Sequence, residues 1–195
     1  LCDGRVMLKT SMLGWISRFA RDRRGVSAVE FAFVAPVMIG LYLGCVEVSD
    51  GVAVDRKVSL TTGALANLTA QVNPATISTA DMTNILNASS AIIAPYSAGN
   101  LKMVISCLKI DANGVAKVQW SETRNGTART DGSIYSFTSS NSALAVKNSW
   151  LILSEVSYAY TPTVGYTITG TLTLSDMMFM SPRTGAPTYG IKTCS

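Results

Sequence analysis

Gly25 and Glu30 stand out in this 195-residue chain because their types and spacing suit a defined chemistry. Arg23-Arg24-Gly25 places two cations and a flexible residue ahead of Val26, a position where a peptide bond can be cut. Glu30 is the only carboxylate in the apolar run that follows, up to Val46. Cleavage after Gly25 leaves a new amine on Val26, four residues before Glu30 and so one helical turn away. Such a pair can close within one helix, or between an amine and the Glu30 of a neighbouring copy. A carboxylate entering a bilayer costs about 2.5–3.5 kcal/mol, which a counter-charge would offset. A neutral acid held near the interface is the alternative reading.

The element that must position these residues is the run itself. From Val26 to Val46 the strongly polar members are Ser27 and Glu30, and a helix of that length spans roughly the 30 Å of a bilayer core. Pro36 lies inside it and is expected to kink the helix. The first 25 residues hold six basic side chains (Arg5, Lys9, Arg18, Arg21, Arg23, Arg24) against Asp3 and Asp22, which equals the whole net charge of +4. Ten basic and ten acidic side chains remain beyond them, so no basic surface for nucleic acid is expected in the part that folds. Positive charge just before an apolar span keeps that end in the cytoplasm and sends the C-terminal side outward. A cleaved secretory signal has a shorter apolar region ending at small residues, whereas this run is longer and is followed by Glu47, Asp50, Asp55, Arg56 and Lys57 on a continuing helical pattern. Leu1 is not methionine; Met7 and Met12 are alternative starts, and Cys2 precedes both.

Basic leader, Gly25, Glu30 with Phe31 beside it, and an apolar helix holding Pro36 together resemble the prepilin layout, in the form found in TadE-like pseudopilins of the tight-adherence (Tad, Flp-type) pilus system. The string Arg-Arg-Gly-Val-Ser-Ala-Val-Glu-Phe-Ala-Phe-Val-Ala-Pro-Val at 23–37 carries the resemblance. Asp81 to Leu86, Pro95-Tyr96 and the Asp111, Gly114, Trp120-Ser121 stretch are also similar to longer members. The resemblance implies processing between Gly25 and Val26 by a prepilin peptidase, an assembly-register role for Glu30, and a minor pilin or pseudopilin acting with other pilins and the Tad assembly machinery. It implies a single-pass protein of the bacterial inner membrane with its N-terminus cytoplasmic, its C-terminal domain periplasmic, and a possible place in an extracellular adhesive pilus. An uncleaved single-pass assembly or binding factor is the alternative.

Downstream, the pattern predicts an α+β fold: a long N-terminal transmembrane helix continuing into a domain with an antiparallel sheet packed on helices. The divisions are a leader at 1–25, the extended helix at 26–72 and the α+β domain at 73–195. Val48, Val52, Val58, Leu65, Leu68 and Val72 recur at helical spacing, and Asn73-Pro74 ends the helix. A second helix starts at a Ser78 or Thr79 cap and presents Met82, Ile85, Leu86, Ile92 and Ile93 before Pro95. Strands are expected at 101–110 and 115–120 around the Asp111 to Gly114 turn, then at about 150–160 and 166–176. Ser121 to Asn148, with Arg124, Arg129 and Tyr135, reads as a solvated loop.

Cys45 falls in the apolar span and reads as a small hydrophobe. Cys107 and Cys194 both lie on the outward side, where an oxidising compartment would join them; separate thiols are the alternative. The chain has no histidine, so Ser-His-Asp and Cys-His catalysis and the usual histidine zinc ligands are missing. No phosphate loop, dinucleotide fingerprint or paired Cys-x-x-Cys occurs. Glu155 and Asp176 are strand carboxylates without an evident companion. No catalytic, cofactor or metal residues are assigned, and a non-enzymatic protein is expected.

Overall fold

The computed structural model describes residues 24–72, 76–162, 170–183 and 185–194. The basic leader up to Arg23, the Asn73-Pro74 stop, and Tyr166 and Ile168 lie outside the described residues. Helix α1 runs Arg24–Ala70. Contacts divide the chain into two units, one ending at Val46 and one starting at Glu47, and α1 contributes to both.

In the second unit α1 is joined by β1 (Thr76–Ile77), α2 (Thr79–Ser90), β2 (Leu101–Ile110), β3 (Ala116–Arg124), β4 (Ile134–Tyr135), β5 (Ser149–Tyr160), β6 (Leu172–Met180), β7 (Thr188–Tyr189) and β8 (Lys192–Thr193). Strands β4-β3-β2-β5-β6 form an antiparallel sheet in that order. Mixed α and β elements with an antiparallel sheet are the class expected. The last long strand starts at Leu172 and runs to Met180, four residues beyond the expected end, because its partner β5 supplies register as far as Ile152.

Period-two alternation on β2 gives the sheet two unlike faces. Leu101, Met103, Ile105 and Cys107 are fully buried and share one core with Val54, Val58 and Leu65 of α1, Met82, Ile85 and Leu86 of α2, and Trp120, Ile152, Val156 and Tyr158. On the opposite face Leu108, Ile110, Val118, Leu151 and Leu153 form a smaller cluster with Tyr135, Phe137 and Phe179 packed against it. These three rings stack pairwise, with centroids 5.2–5.9 Å apart.

The buried stripe of α1 differs from the expected one. Glu47, Val54, Val58, Thr61, Thr62, Leu65, Ala66 and Thr69 are buried, whereas Val48, Val52 and Leu68 are exposed. Threonines can serve on an apolar stripe because Thr61, Thr62 and Thr69 each donate their hydroxyl to the carbonyl four residues earlier, at 2.8 Å, so no polar group is buried without a partner there. Lys57 also faces inward, donating to the carbonyls of Ala94 and Ile92 at 2.6 and 3.3 Å. The peptide bond between Ala94 and Pro95 is cis.

Helix α2 starts with a capping box: the Ser78 hydroxyl accepts from the Asp81 N–H, and the Asp81 carboxylate accepts from the Ser78 N–H. The expected apolar side is confirmed at Met82, Ile85 and Leu86, but Ile92 and Ile93 lie on a separate 3₁₀ turn, Ala91–Ile93. The hairpin between β2 and β3 closes on Asp111, whose Oδ1 accepts from the N–H groups of Asn113 and Val115, with Gly114 at a φ of +86° that disfavours a side chain.

The segment expected as a solvated loop is exposed over most of its length, but Ser121–Arg124 complete β3 and a few side chains pin the segment to the sheet. Ser121 Oγ accepts from the Arg129 N–H at 3.0 Å, and Arg129 grips Glu155 with two bonds of 2.8 and 2.6 Å. The Arg129 guanidinium lies 5.1 Å from the Tyr135 ring centroid. Arg124 bonds Asn87 and Ser90 of α2. A Cβ at Gly126 would stand 2.8 Å from Thr123 Oγ1, so a side chain there would have to displace that hydroxyl from its bond to the Met103 carbonyl. Serine, threonine and arginine show no alternation in sequence; their partners are tens of residues away.

The C-terminal segment straps the domain together. Arg183 N–H donates to the last carbonyl of α1, Ala70, at 3.0 Å. β7 pairs in parallel with β1 and antiparallel with β8, the Trp120 indole donates to the Pro187 carbonyl at 3.1 Å, and the buried Cys194 is bonded to Cys107 with their Cα atoms 6.2 Å apart.

Three outcomes are expected of the full chain in detergent micelles. Leu65→Ala removes a fully buried side chain and lowers unfolding free energy by about 2–5 kcal/mol, while Val48→Ala changes it by less than about 0.5 kcal/mol; denaturant titration followed by tryptophan fluorescence measures both. The Cys107→Ser, Cys194→Ser double variant opens a bridge separated by 87 residues, losing up to about 4–5 kcal/mol by chain entropy, with the bridge itself read from non-reducing peptide mass spectrometry. Asp81 and Asp111 are both held below the ordinary value of 3.8, Asp81 chiefly by the Ser78 hydroxyl and Asp111 chiefly by the Val115 N–H. A depressed carboxylate contributes stability that is complete above its ordinary value and lost as pH falls through the lower folded value. The denaturation midpoint of the Asp81→Asn, Asp111→Asn variant therefore changes less between about pH 5 and about pH 3 than that of the parent.

Candidate functional site

Among the described residues, the first stretch of α1 has a surface unlike any other. Phe31, Phe33, Val34, Val37, Met38, Ile39, Leu41 and Tyr42 are all more than half exposed. Stepped at 100° per residue, these positions together with the exposed Ala32 and Pro36 occupy every side of the helix rather than one stripe. A helix apolar all round that no protein layer covers calls for lipid or other apolar helices around it. Of the described helices, α1 is the one long and apolar enough to cross a membrane.

Gly25 opens this stretch, with nothing within 4 Å of the space a side chain would fill, and Val26 is 55% exposed. Neither is shielded by packing. Glu30 is exposed on the turn after Val26, so the two residues occupy the i and i+4 positions of a continuous helix. Pro36 lies within that same helix; having no N–H, it cannot bond the Ala32 carbonyl. Cys45 is an exposed cysteine near the end of the apolar stretch and takes no part in the Cys107–Cys194 disulfide.

Beyond the apolar stretch the helix changes character at Glu47, which is only 3% exposed. The Tyr160 hydroxyl is pushed up, first by its own burial and then by the charges of Asp50 and Glu47 and by Tyr96. Sequence reading took Glu47 and Asp50 only as charges following the span; the strand end that meets them comes from more than a hundred residues later. Their signal was the position of carboxylates at the first turn after an apolar run.

Glu155, without an evident companion in sequence, is bonded to Arg129. Both side chains are about a third exposed, so the pair adds about 1 kcal/mol at most. Its electrostatic trace is visible on the spot: the hydrogen bond that Arg129 donates to Glu155 raises Arg129, and Tyr135 is raised by burial first and by the Glu155 charge second. Asp176 accepts from the N–H of Met177, the next residue. Among the described residues no group of three His, Cys, Asp or Glu side chains could hold a metal ion. What the arrangement offers is an exposed apolar helix surface long enough to cross a membrane.

No curated protein and no solved structure matches the chain. Residues 25–59, the opening of α1 from Gly25 through its apolar stretch, match the family model described as TadE-like protein, so this helix is similar to the corresponding segment of that family.

Proposed function

We propose that this protein is a minor pilin or pseudopilin that takes part in assembling a Tad adhesive pilus. The observation that carries the reading is the coincidence of the matched segment with the helix whose apolar surface is uncovered on all sides. That surface has two uses in succession: it holds the chain in the inner membrane as a single pass, and it then packs among other pilin helices. The basic leader stays in the cytoplasm and the domain from Glu47 onward is periplasmic. Prepilin peptidase cuts after Gly25, at a point where Gly25 and Val26 are free of packing contacts. The Val26 amine then finds the Glu30 carboxylate of its own or a neighbouring helix, and this pairing sets the axial register of the subunit. Its partners are other pilins and the Tad assembly machinery, and its role is structural rather than catalytic.

The test is the N-terminal sequence of protein from host membranes, with and without the peptidase. A peptidase-dependent start at Val26 is expected, together with normal membrane insertion but reduced incorporation of Glu30→Ala into the assembly. An uncut chain in the wild-type host overturns the processing step and leaves an anchored assembly factor; undiminished incorporation of Glu30→Ala overturns the register role.

A further inference from the structure

Four residues stand in one row across four strands at the end of the sheet far from Glu47. Lys117 is directly opposite Ile134 on β4 and opposite Lys109 on β2, and Lys109 is opposite Trp150 on β5. Directly opposed residues project from the same side of a sheet. Here it is the side that α1 and α2 cover further along, since Trp150 packs against the margin of that core. The row itself is open: Lys117 is exposed, Ile134 is 67% exposed, and Lys109 and Trp150 are half-buried.

As a purely structural element the row is poorly built. Like charges directly opposed on neighbouring strands are unfavourable. No ion pair to either lysine occurs among the described residues. The acid that responds to Lys117 is Asp111, whose Oδ1 is already engaged by two N–H groups of its own turn. Next to Lys109, the Trp150 indole nitrogen is buried without a hydrogen-bond partner among the described residues, a departure from normal satisfaction that asks for a reason. An anion lying over the two ammonium groups removes the repulsion between them.

The form of that anion follows from the spacing. Adjacent strands are about 4.8 Å apart, so the row sets two positive charges and then an aromatic ring along a line of about 10 Å. A linear chain of pyranose rings with carboxylate or other anionic substituents matches this sequence of groups: the charges meet the lysines and the apolar face of a ring lies against the exposed part of the indole. Nucleic acid fits less well, because the charge excess is local; beyond the first 25 residues basic and acidic side chains are equal in number, and duplex binding draws on many phosphate contacts. We infer that Lys117, Lys109 and Trp150 form a binding site for an acidic polysaccharide.

The experiment uses the full chain in detergent micelles with a short oligogalacturonate as probe, beside a neutral cello-oligosaccharide of equal length and a polyglutamate peptide. Binding of the oligogalacturonate, weakened by salt and absent for the neutral sugar, is expected. The Lys109→Gln, Lys117→Gln variant should bind about tenfold more weakly or worse while its melting temperature stays level or rises, which separates lost binding from lost folding. Trp150→Phe should weaken the sugar and leave polyglutamate unaffected. Failure to bind oligogalacturonate, or unchanged binding by the double lysine variant, overturns the site. Equal binding of polyglutamate and sugar, with no effect of Trp150→Phe, overturns the polysaccharide assignment in favour of an acidic protein surface.

Discussion

Burial of one face of β2 governs the architecture of the domain. Leu101, Met103, Ile105 and Cys107 alternate along a strand that pairs on both sides, and all four are shut away from solvent. Each such side chain contributes about 1.5–3 kcal/mol when removed from water, but a sheet face cannot bury itself. The inner stripe of α1 from Val54 to Leu65, the apolar side of α2, and Trp120 close it. Cys107 then has a second duty, because it is also the point where the C-terminal strap is covalently fixed. The strap in turn holds the end of α1 through Arg183 and supports Trp120 through Pro187. Helix, sheet and tail are thus mutually dependent.

The other face follows a different principle. Its apolar cluster is confined to one end, around Leu108, Leu151 and the Tyr135, Phe137 and Phe179 rings. Over the rest, polar groups bind the covering segment: Ser106 to Ser121, Ser121 to the Arg129 backbone, and Arg129 to Glu155. Directional bonds of this kind fix a geometry more than they add stability, since a part-exposed ion pair contributes little.

Helix α1 joins two environments in one continuous element. Its first stretch is apolar all round, while its second is a stripe that mixes Val54, Val58 and Leu65 with self-bonded threonines. The match to TadE-like protein spans this change of character, covering 25–59. The matched segment thus takes in the apolar stretch and the opening of the buried stripe, and ends well before the sheet. The open Lys117, Lys109 and Trp150 row lies in that domain, on the strands rather than on the helix.

Elements with strong local signals were legible in the sequence: the length of an uninterrupted apolar run, the Ser78 cap with Asp81, the Asp111 to Gly114 turn, and the alternation along β2 and β5. Each depends on residues within a turn or a strand of one another, so local spacing suffices to set it. The inner stripe of α1 was legible at Val58 and Leu65 but not at Val48, Val52 and Leu68, because valine at helical spacing looks buried whether or not a strand lies beneath it, while threonine looks exposed until its hydroxyl turns back to its own helix. The exposure of most of the segment after β3 was legible, but its anchorage was not, because Arg129 meets Glu155 only once two distant strands are in register. The Lys117, Lys109 and Trp150 row likewise has no sequence signature, being made by lateral pairing across strands. Local spacing determined which elements form; only the tertiary structure decided which of their side chains face one another, since that depends on partners supplied from far along the chain.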